Sequence, residues 1–471
     1  MGGDRLEAEG RTLSNRLIVV SNRVTQITGR RAVSAGGLAV GIQAALEEVG
    51  GLWFGWSGRI TEKPGDAAQV TTRGKITYAL TDLSEEDHAG YYAGFANRTL
   101  WPLFHYRIDL ASFEREWYET YRRVNERFAD QLVPLLREGD VIWVHDYHLI
   151  PLAAELRARG VKARIGFFLH IPFPAQQIFV TMPWHRQLAT DLCAYDLVGF
   201  QTEVDLLQFW DYVTRELEGE VQPDGRVRID GRSLRAVACP IGVDHEEMAT
   251  LAASADAQRQ TERLQLTLRG RKLVFGVDRL DYTKGIPERL RAFEELLRSY
   301  EEHRGRVVLM QISAPSREDV PEYHDLRRDV ERLSGHINGR FADTDWMPIR
   351  YINRAYTRRV LAGFYRMSRI GFVTPLRDGL NLVAEEFVAA QIQEDPGVLV
   401  LSRFAGAAGH MKGALIVNPY DTQAVAGALH QALVMSVEER RDRHAAMLEA
   451  VRANDLTGWR RKLVRMLLSG E

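Results

Sequence analysis

Cysteine is scarce in this chain of 471 residues, which contains only Cys193 and Cys239. Two cysteines do not build a disulfide framework, so we expect both to be buried and unreactive, as in a reducing compartment. Long hydrophobic runs are lacking too, since no apolar stretch reaches the roughly 20 residues of a membrane helix. Segment 1–15 is polar and has no signal-peptide core. These absences predict a cytoplasmic protein with a flexible N-terminal extension.

Charge of one sign is not in excess either, because 61 basic residues face 63 acidic ones. This balance argues against a polybasic surface, so we expect neither nucleic acid nor a membrane as a partner. Apolar residues make up 45% of the chain and charged residues 26%, which is typical of a globular protein. The length suits two α/β domains better than one.

Short apolar runs alternate with amphipathic helical stretches along the chain. This alternation predicts two doubly wound parallel sheets. A polar, strand-poor stretch at 244–270 interrupts the series, and we place the domain boundary there. The predicted organisation is an extension at 1–15, a Rossmann-like domain at 16–250, a second at 251–455, and a final helix at 456–471 that packs on the first domain. The predicted strands are 16–20, 141–145, 165–170, 197–201, 227–230, 234–240, 273–278, 306–313, 370–376, 398–402 and 414–418.

Polar clusters follow several strands of the first domain, where open parallel sheets bind ligands. Arg23 follows the first strand, and a guanidinium there can hold a phosphate in bidentate fashion. Gly37 lies where the next helix begins, a position that suits an anion or a plain turn. Asp146 and His170 end two further strands. For the His/Asp cluster at 145–148, metal ligation, a base and hydroxyl binding are three alternatives, and metal is the least favoured because no further cluster has ligand spacing.

Aromatic residues bracketed by glycine form another block of the first domain. Trp56, Tyr92 and Trp101 belong to it. Core packing is one interpretation of these residues, and a wall that stacks on a sugar ring is the other.

The second domain has basic loops after its strands. Arg279 and Lys284 flank one short loop, and two cations held close together favour an anion such as a diphosphate between them. Arg317 follows the next strand. After a third strand, Asp378 lies in a loop and Glu386 lies about two turns into the next helix. The amides at the start of that helix could bind phosphate between them, and this spacing disfavours a paired-carboxylate hydrolase.

These motifs occur together, in order, from about residue 16 to residue 460. The chain thereby resembles the retaining trehalose-6-phosphate synthases. The resemblance implies a GT-B fold, with two Rossmann-like domains and the active site in the cleft between them. It also implies transfer of glucose from a nucleoside-diphosphate glucose, with UDP-glucose favoured, to glucose 6-phosphate. No metal or other cofactor is expected. The matching stretches are VVSNR, SAGGLAVG, GGLWFGWSG, LWPLFHYR, WVHDYHL, IGFFLHIPFP, VDRLDYTKG, TPLRDGLNLVAEE and FAGAA…LIVNPYD.

The resemblance also implies a role for each matching residue. Those expected to take part in catalysis are Arg279, Lys284, Asp146 and His170. The donor is expected to contact Gly37, His170, Arg279, Lys284, Asp378, Gly379, Asn381, Leu382, Val383 and Glu386. The acceptor is expected to contact Arg23, Trp56, Tyr92, Trp101, Asp146 and Arg317.

Three alternatives to this function stay open at the level of sequence. The same fold and donor could serve another phosphorylated acceptor, such as glycerol 3-phosphate. A sugar-nucleotide epimerase would need no acceptor clamp, and a non-catalytic regulatory protein would be expected to have lost charged site residues. The sequence also leaves open the donor base and the oligomeric state, for which a homo-oligomer, either a dimer or a tetramer, is one alternative.

Overall fold

The computed structural model describes residues 16–24, 37–317 and 320–469. The predicted extension at 1–15 lies outside them, and so does segment 25–33, which matches no family motif and which the sequence predicts to be a loop over the site. Two compact α/β units are present: one contains β1 and Leu38–Cys239 together with the chain from Arg460 onward, and the other contains Pro240–Trp459. The predicted α/β class is confirmed. The units divide at residue 239, whereas the sequence boundary was placed at residue 250.

The first unit is built on a ten-stranded sheet with the order β3-β4-β2-β1-β5-β6-β7-β10-β9-β8. Its central strands are parallel, and antiparallel strands lie only towards its two edges. The strands are β1 Leu17–Arg23, β2 Gly51–Ile60, β3 Gln69–Arg73, β4 Ile76–Leu83, β5 Val141–His145, β6 Arg164–Phe168, β7 Leu197–Phe200, β8 Glu220–Val221, β9 Arg226–Ile229 and β10 Arg232–Ala238. The α-helices are α1 Gly37–Val49, α2 Glu85–Asp87, α3 Trp101–Phe104, α4 Arg115–Leu132, α5 Leu152–Ala158, α6 Gln176–Phe179, α7 His185–Leu192 and α8 Glu203–Glu216.

The second unit has a six-stranded, all-parallel sheet with the order β13-β12-β11-β14-β15-β16. Numbered from the first strand of this unit, the order is 3-2-1-4-5-6. Successive strands are thus added first on one side of β11 and then on the other, and the switch point lies between β11 and β14. The strands are β11 Lys272–Arg279, β12 Val307–Ala314, β13 Ile349–Ile352, β14 Ile370–Val373, β15 Val398–Ser402 and β16 Leu415–Val417. The α-helices are α9 His245–Ala253, α10 Ala255–Leu268, α11 Ile286–Ser299, α12 Pro321–Phe341, α13 Arg358–Met367, α14 Leu382–Ala390, α15 Thr422–Val434 and α16 Val437–Ala453. Helix α17, Leu456–Ser469, begins in this unit and belongs to the first unit from Arg460 onward.

The last helix, α17, packs on the first unit from Arg460 onward. Leu467 lies over Gly166 on β6, and Leu463 lies near Gly199 on β7. A Cβ atom at Gly199 would lie 2.5 Å from the Phe168 ring, so β6, β7 and the helix approach closely only because glycine is present.

A π-helix at His88–Leu100 is an unusual element of the first unit. π-Helices occur mostly as single turns inside α-helices, often at functional sites. This one carries Tyr91 and Tyr92 and continues directly into Trp101 at the start of α3. The aromatic block of the sequence is therefore divided between β2, the π-helix and α3.

Both cysteines are buried and are not joined in a disulfide. Burial raises the pKa of the Cys193 thiol to about 12 and that of Cys239 to about 11, so both are thiols at neutral pH. This agrees with the expectation that they are unreactive. None of the helices in the described part of the chain has the length and apolar character of a membrane span.

Candidate active site

The loops after β11 and β14 meet at the point where the second sheet reverses its strand order. Open α/β sheets bind ligands at this point, beyond the carboxyl ends of the strands. Lys284 Nζ donates to Asp378 Oδ2 at 2.5 Å, so the two loops predicted to contact the donor are joined by a largely buried charge pair. Asn381 Nδ2 donates to the same carboxylate oxygen at 3.0 Å. The structure thus brings together three of the residues predicted to contact the donor.

Arg317, which was predicted to bind the acceptor phosphate, is held by Asp281 of the second unit. Its Nη1 donates to Asp281 Oδ2 at 2.7 Å and to the Tyr323 hydroxyl at 2.5 Å. Asp281 is fully buried and also accepts from the amide and hydroxyl of Thr283. Although burial opposes ionisation, Arg317 and then Arg279 hold the pKa of Asp281 well below its ordinary value.

Arg289 is a buried arginine of α11 that the sequence analysis did not select. Its Nη1 donates to Asp278 Oδ2 at 2.5 Å and to Gln311 Oε1 at 2.8 Å. Its Nε donates to Thr374 Oγ1 at 3.1 Å. One guanidinium therefore joins the carboxyl-terminal parts of β11 and β12 to the residue after β14. The sequence does indicate that Arg289 is buried, because position 289 falls within the apolar stripe of α11 at helical spacing.

The charges at these strand ends do not cancel. The cations Arg279, Lys284, Arg289, Arg317 and Arg377 number five, and the carboxylates Asp278, Asp281 and Asp378 number three, so positive charge is in excess. The N-terminus of α14 adds a partial positive charge at the same edge of the sheet. This region is therefore suited to bind an anion.

Helix α14 begins at Leu382, with Asn381 as its N-cap in a left-handed conformation (φ 80°). The amides of Leu382 and Val383 lie in its first turn, where amides have no intrahelical acceptor. Gly379 lies in the loop just before this cap. Four residues further along the helix from Leu382, Glu386 accepts from the Tyr365 hydroxyl at 3.2 Å and pairs with Arg358 at 3.6 Å. Burial raises the pKa of Glu386.

In the first unit, His145, Asp146 and His170 form a cluster after β5 and β6. The Asp146 Oδ1 atom accepts from the His170 amide at 3.2 Å. His145 Nδ1 lies 3.1 Å from His170 Nε2, and Gln201 Nε2 lies 3.4 Å from His170 Nδ1. Burial lowers the pKa of His170 to about 3, so its imidazole is neutral at neutral pH. Burial also lowers that of His145, with a smaller contribution from His170.

Arg23 and the aromatic residues predicted to contact the acceptor also come together in this unit. The Arg23 guanidinium lies 5.7 Å from the centre of the Trp56 ring, and Tyr92 lies 5.6 Å from the same ring. Trp101 joins the group through other rings: it packs at 5.8 Å against Tyr147, Tyr147 contacts His148 at 4.0 Å, and His148 stacks on Tyr92 at 5.8 Å. Gly37, which was predicted to contact the donor, is the first residue of α1.

Backbone strain coincides with the predicted site. Among the described residues, seven non-glycine positions have positive φ, and Asp146 (76°), Arg317 (48°) and Asn381 (80°) are three of them. Such conformations cost about 1–3 kcal/mol each and accumulate at functional sites.

Comparison with known proteins identifies the family of this chain. The sequence profile described as glycosyltransferase family 20 matches residues 10–469. Trehalose-6-phosphate synthase of Enterobacter sp. (strain 638) is 48% identical over 454 residues, which cover 96% of this chain and 95% of that protein. The chain belongs to glycosyltransferase family 20. As a member of this family it is an enzyme, a glycosyltransferase.

Two solved structures are similar to this family 20 glycosyltransferase over almost the whole chain. The UDP-forming α,α-trehalose-phosphate synthase of Burkholderia xenovorans in complex with glucose-6-phosphate is 52% identical, with a TM-score of 0.93 over 97% of this chain and 100% of that one. The E. coli protein bound with UDP-2-fluoro glucose is 46% identical, with a TM-score of 0.92 over 97% and 99%. The predicted GT-B class is confirmed, while the placement of the site in a cleft stays a prediction.

Proposed function

We propose that this protein transfers glucose from UDP-glucose to glucose 6-phosphate, with retention, to form α,α-trehalose 6-phosphate and UDP, the first step of trehalose biosynthesis. The observation that carries this proposal is the excess of cations at the carboxyl ends of β11 and β12, close to the N-terminus of α14 in the second unit. The similar proteins act or bind accordingly, since one was solved with glucose-6-phosphate and another with a UDP-glucose analogue.

The donor diphosphate is assigned to Arg279, Lys284 and the first amides of α14. Glu386 would hold the ribose, while Asp378 and His170 would bind hydroxyls of the donor glucose. Gly37, Gly379 and Asn381 shape the backbone that approaches the donor. For the acceptor, Arg23 and Arg317 would bind the phosphate, and the pocket around the sugar is assigned to Trp56, Tyr92, Trp101 and Asp146.

The charge pairs described above indicate how ligands would be accommodated. Lys284 is held by Asp378, and Arg317 is held by Asp281. A phosphate oxygen approaching either cation would find it already oriented, so little side-chain entropy is lost on binding. Oriented cations also stabilise charge that grows on the leaving diphosphate without reorganising.

In the proposed reaction, the bond between the glucose C1 atom and the diphosphate oxygen breaks. The acceptor hydroxyl forms the new bond to C1 on the same face, and its proton passes to the leaving diphosphate. The proposal needs no carboxylate nucleophile, no metal and no other cofactor. We also propose a cytoplasmic location and a homo-oligomer, either a dimer or a tetramer, which light scattering would measure.

One assay tests this function. The purified protein is incubated with UDP-, GDP- or ADP-glucose, together with glucose 6-phosphate, glycerol 3-phosphate or no acceptor, and release of the nucleoside diphosphate is followed. We expect release to require glucose 6-phosphate and to be fastest with UDP-glucose. Equal release without a phosphorylated acceptor would refute the proposal, and faster release with glycerol 3-phosphate would replace the acceptor.

The role of the diphosphate cations is tested by substitution. Arg279→Ala should lower turnover by about 10²–10³, the usual effect of losing one donor to developing negative charge. Arg269→Ala is the matched control, because Arg269 is exposed and lies before β11 rather than at its carboxyl end. If both variants kept near-normal turnover, Arg279 would have no catalytic role.

A further inference from the structure

A cluster of three potential metal ligands lies away from the proposed active site. Glu302 and His303 belong to a short 3-10 turn, Glu301–His303, between α11 and β12. His430 belongs to α15. The turn therefore precedes the amino end of β12, whereas Arg317 follows its carboxyl end. Nothing in the proposed transfer reaction uses these side chains.

The three side chains have the mutual distances of ligands around one ion. His303 Nε2 lies 3.0 Å from His430 Nδ1, and His430 Nδ1 lies 3.6 Å from Glu302 Oε1. All three ligand atoms lie within 4.8 Å of one another. Two atoms that each lie about 2.0–2.1 Å from a tetrahedral Zn²⁺ are roughly 3.3 Å apart. We propose that Glu302, His303 and His430 bind a divalent transition-metal ion of the zinc type.

The two imidazoles are held in place before any ion binds. The Tyr300 ring stacks on His430, with ring centres 4.2 Å apart and planes 12° apart. His303 is buried, and its amide donates to the Tyr300 carbonyl at 3.1 Å. A hydrogen bond between two neutral imidazoles uses one proton and one lone pair. A metal ion would instead accept lone pairs from both nitrogen atoms, so it replaces this bond without moving the rings far.

The donor set selects the class of metal. Two imidazoles and one carboxylate suit Zn²⁺, Ni²⁺ or Cu²⁺ better than the hard ions Mg²⁺ and Ca²⁺. Three protein ligands leave a fourth position for water. The cations Lys272 and Arg306 act on His303 and weaken the attraction of this site for a metal ion.

The bound ion would connect the turn after α11 to α15. Helices α11 and α15 are neighbours in the second unit. A Cβ atom built at Gly427 of α15 would lie 3.7 Å from the hydroxyl of Tyr300, the residue that ends α11. A metal bridge at this edge would stabilise the unit at the opposite end of the sheet from the donor loops. We therefore expect a structural ion that raises thermal stability and leaves the transfer reaction unchanged.

The test uses the full-length protein without a histidine tag, stripped of metal by a chelator that is then removed. Titration calorimetry with ZnCl₂ should give one site per chain, and Zn²⁺ should raise the melting temperature. The variants His430→Gln and Glu302→Gln should lose or weaken this site by tenfold or more. His336→Gln is the matched control, because His336 is an exposed histidine of α12 in the same unit.

Cobalt gives an independent readout. Co²⁺ bound by two imidazoles, one carboxylate and water should show the intense visible absorption of a tetrahedral ion, which His430→Gln should abolish. The proposal is overturned if the wild-type protein binds no Zn²⁺ under these conditions. It is also overturned if His430→Gln and Glu302→Gln, both folded by circular dichroism, bind as tightly as His336→Gln. Glu302 is exposed, so its replacement should not affect folding.

Discussion

Replacing Arg289 with methionine is the perturbation whose effect the structure defines most sharply. The guanidinium is inaccessible to solvent and pairs with Asp278, which is itself buried. It also donates to Gln311, to Thr374 and, at 3.3 Å, to the carbonyl of Lys284. Arg289→Met fills a similar volume but leaves these acceptors without their common donor.

The expected cost follows from burial. Breaking one member of a buried ion pair costs about 3–5 kcal/mol, because the remaining charge stays desolvated. Asp278 would avoid part of this cost by taking up a proton, since burial already raises its pKa. We therefore expect the lower end of the range, about 3 kcal/mol, lost from the stability of the second unit. Turnover should fall as well, because Lys284 and Thr374 lose their shared anchor.

Hydrogen exchange is the suitable assay, since it measures opening of each unit separately. Peptides from β11 should exchange faster in Arg289→Met, whereas peptides from β5 in the first unit should be unchanged. Arg291→Met is the control: Arg291 lies on the same helix, is 46% exposed and forms ion pairs at the surface with Glu288 and Asp329. Equal exchange of β11 in the two variants would show that the buried arginine does not organise the strand ends.

Two further predictions concern the first unit. Gly58→Ala should raise the KM for the phosphorylated acceptor several-fold, because a Cβ atom there would lie 2.7 Å from the Arg23 guanidinium and displace it. Gly74→Ala is the control, since Gly74 also has positive φ but has open space around it, and this variant should leave the KM unchanged. Equal KM values for the two variants would refute the role of Arg23. Between pH 7 and pH 5, the melting temperature should fall less in His145→Gln than in the wild-type protein. Burial in the folded protein lowers the pKa of His145 well below its ordinary value. Below pH about 6.5 the unfolded chain therefore takes up this proton more readily than the folded protein, and the free energy of unfolding falls as the pH is lowered. Melting temperatures that fall equally in wild type and variant would contradict this explanation.

The sequence was most informative where strands are buried on both faces. The predicted bounds 141–145 and 398–402 are those observed, because a continuous apolar run has no alternative face to present. The predicted strand at 165–170 ends at Phe168, since Pro172 and Pro174 shape the loop that carries His170. The strand Gly51–Ile60 was missed because its glycines and tryptophans also suit a binding loop.

The partners of the charged residues could not be predicted. Arg279, Lys284 and Arg317 were found because each follows a strand, and that position depends on local sequence alone. That Asp281 would hold Arg317 and that Asp378 would hold Lys284 depends on how separate loops meet in space. Arg289 was missed for the same reason, since its four acceptors come from four segments of the chain.

The π-helix His88–Leu100 has a consequence for how this chain can vary. An α-helix advances about 100° per residue, and a helix with i→i+5 bonds turns less at each step. Deleting one residue would let the segment relax towards α-geometry, and Tyr92 would then point in a different direction relative to Trp101. The number of residues in this segment therefore determines which of its aromatic rings lie on the same face. In related proteins we therefore expect substitutions within this segment but a constant number of residues between Tyr92 and Trp101.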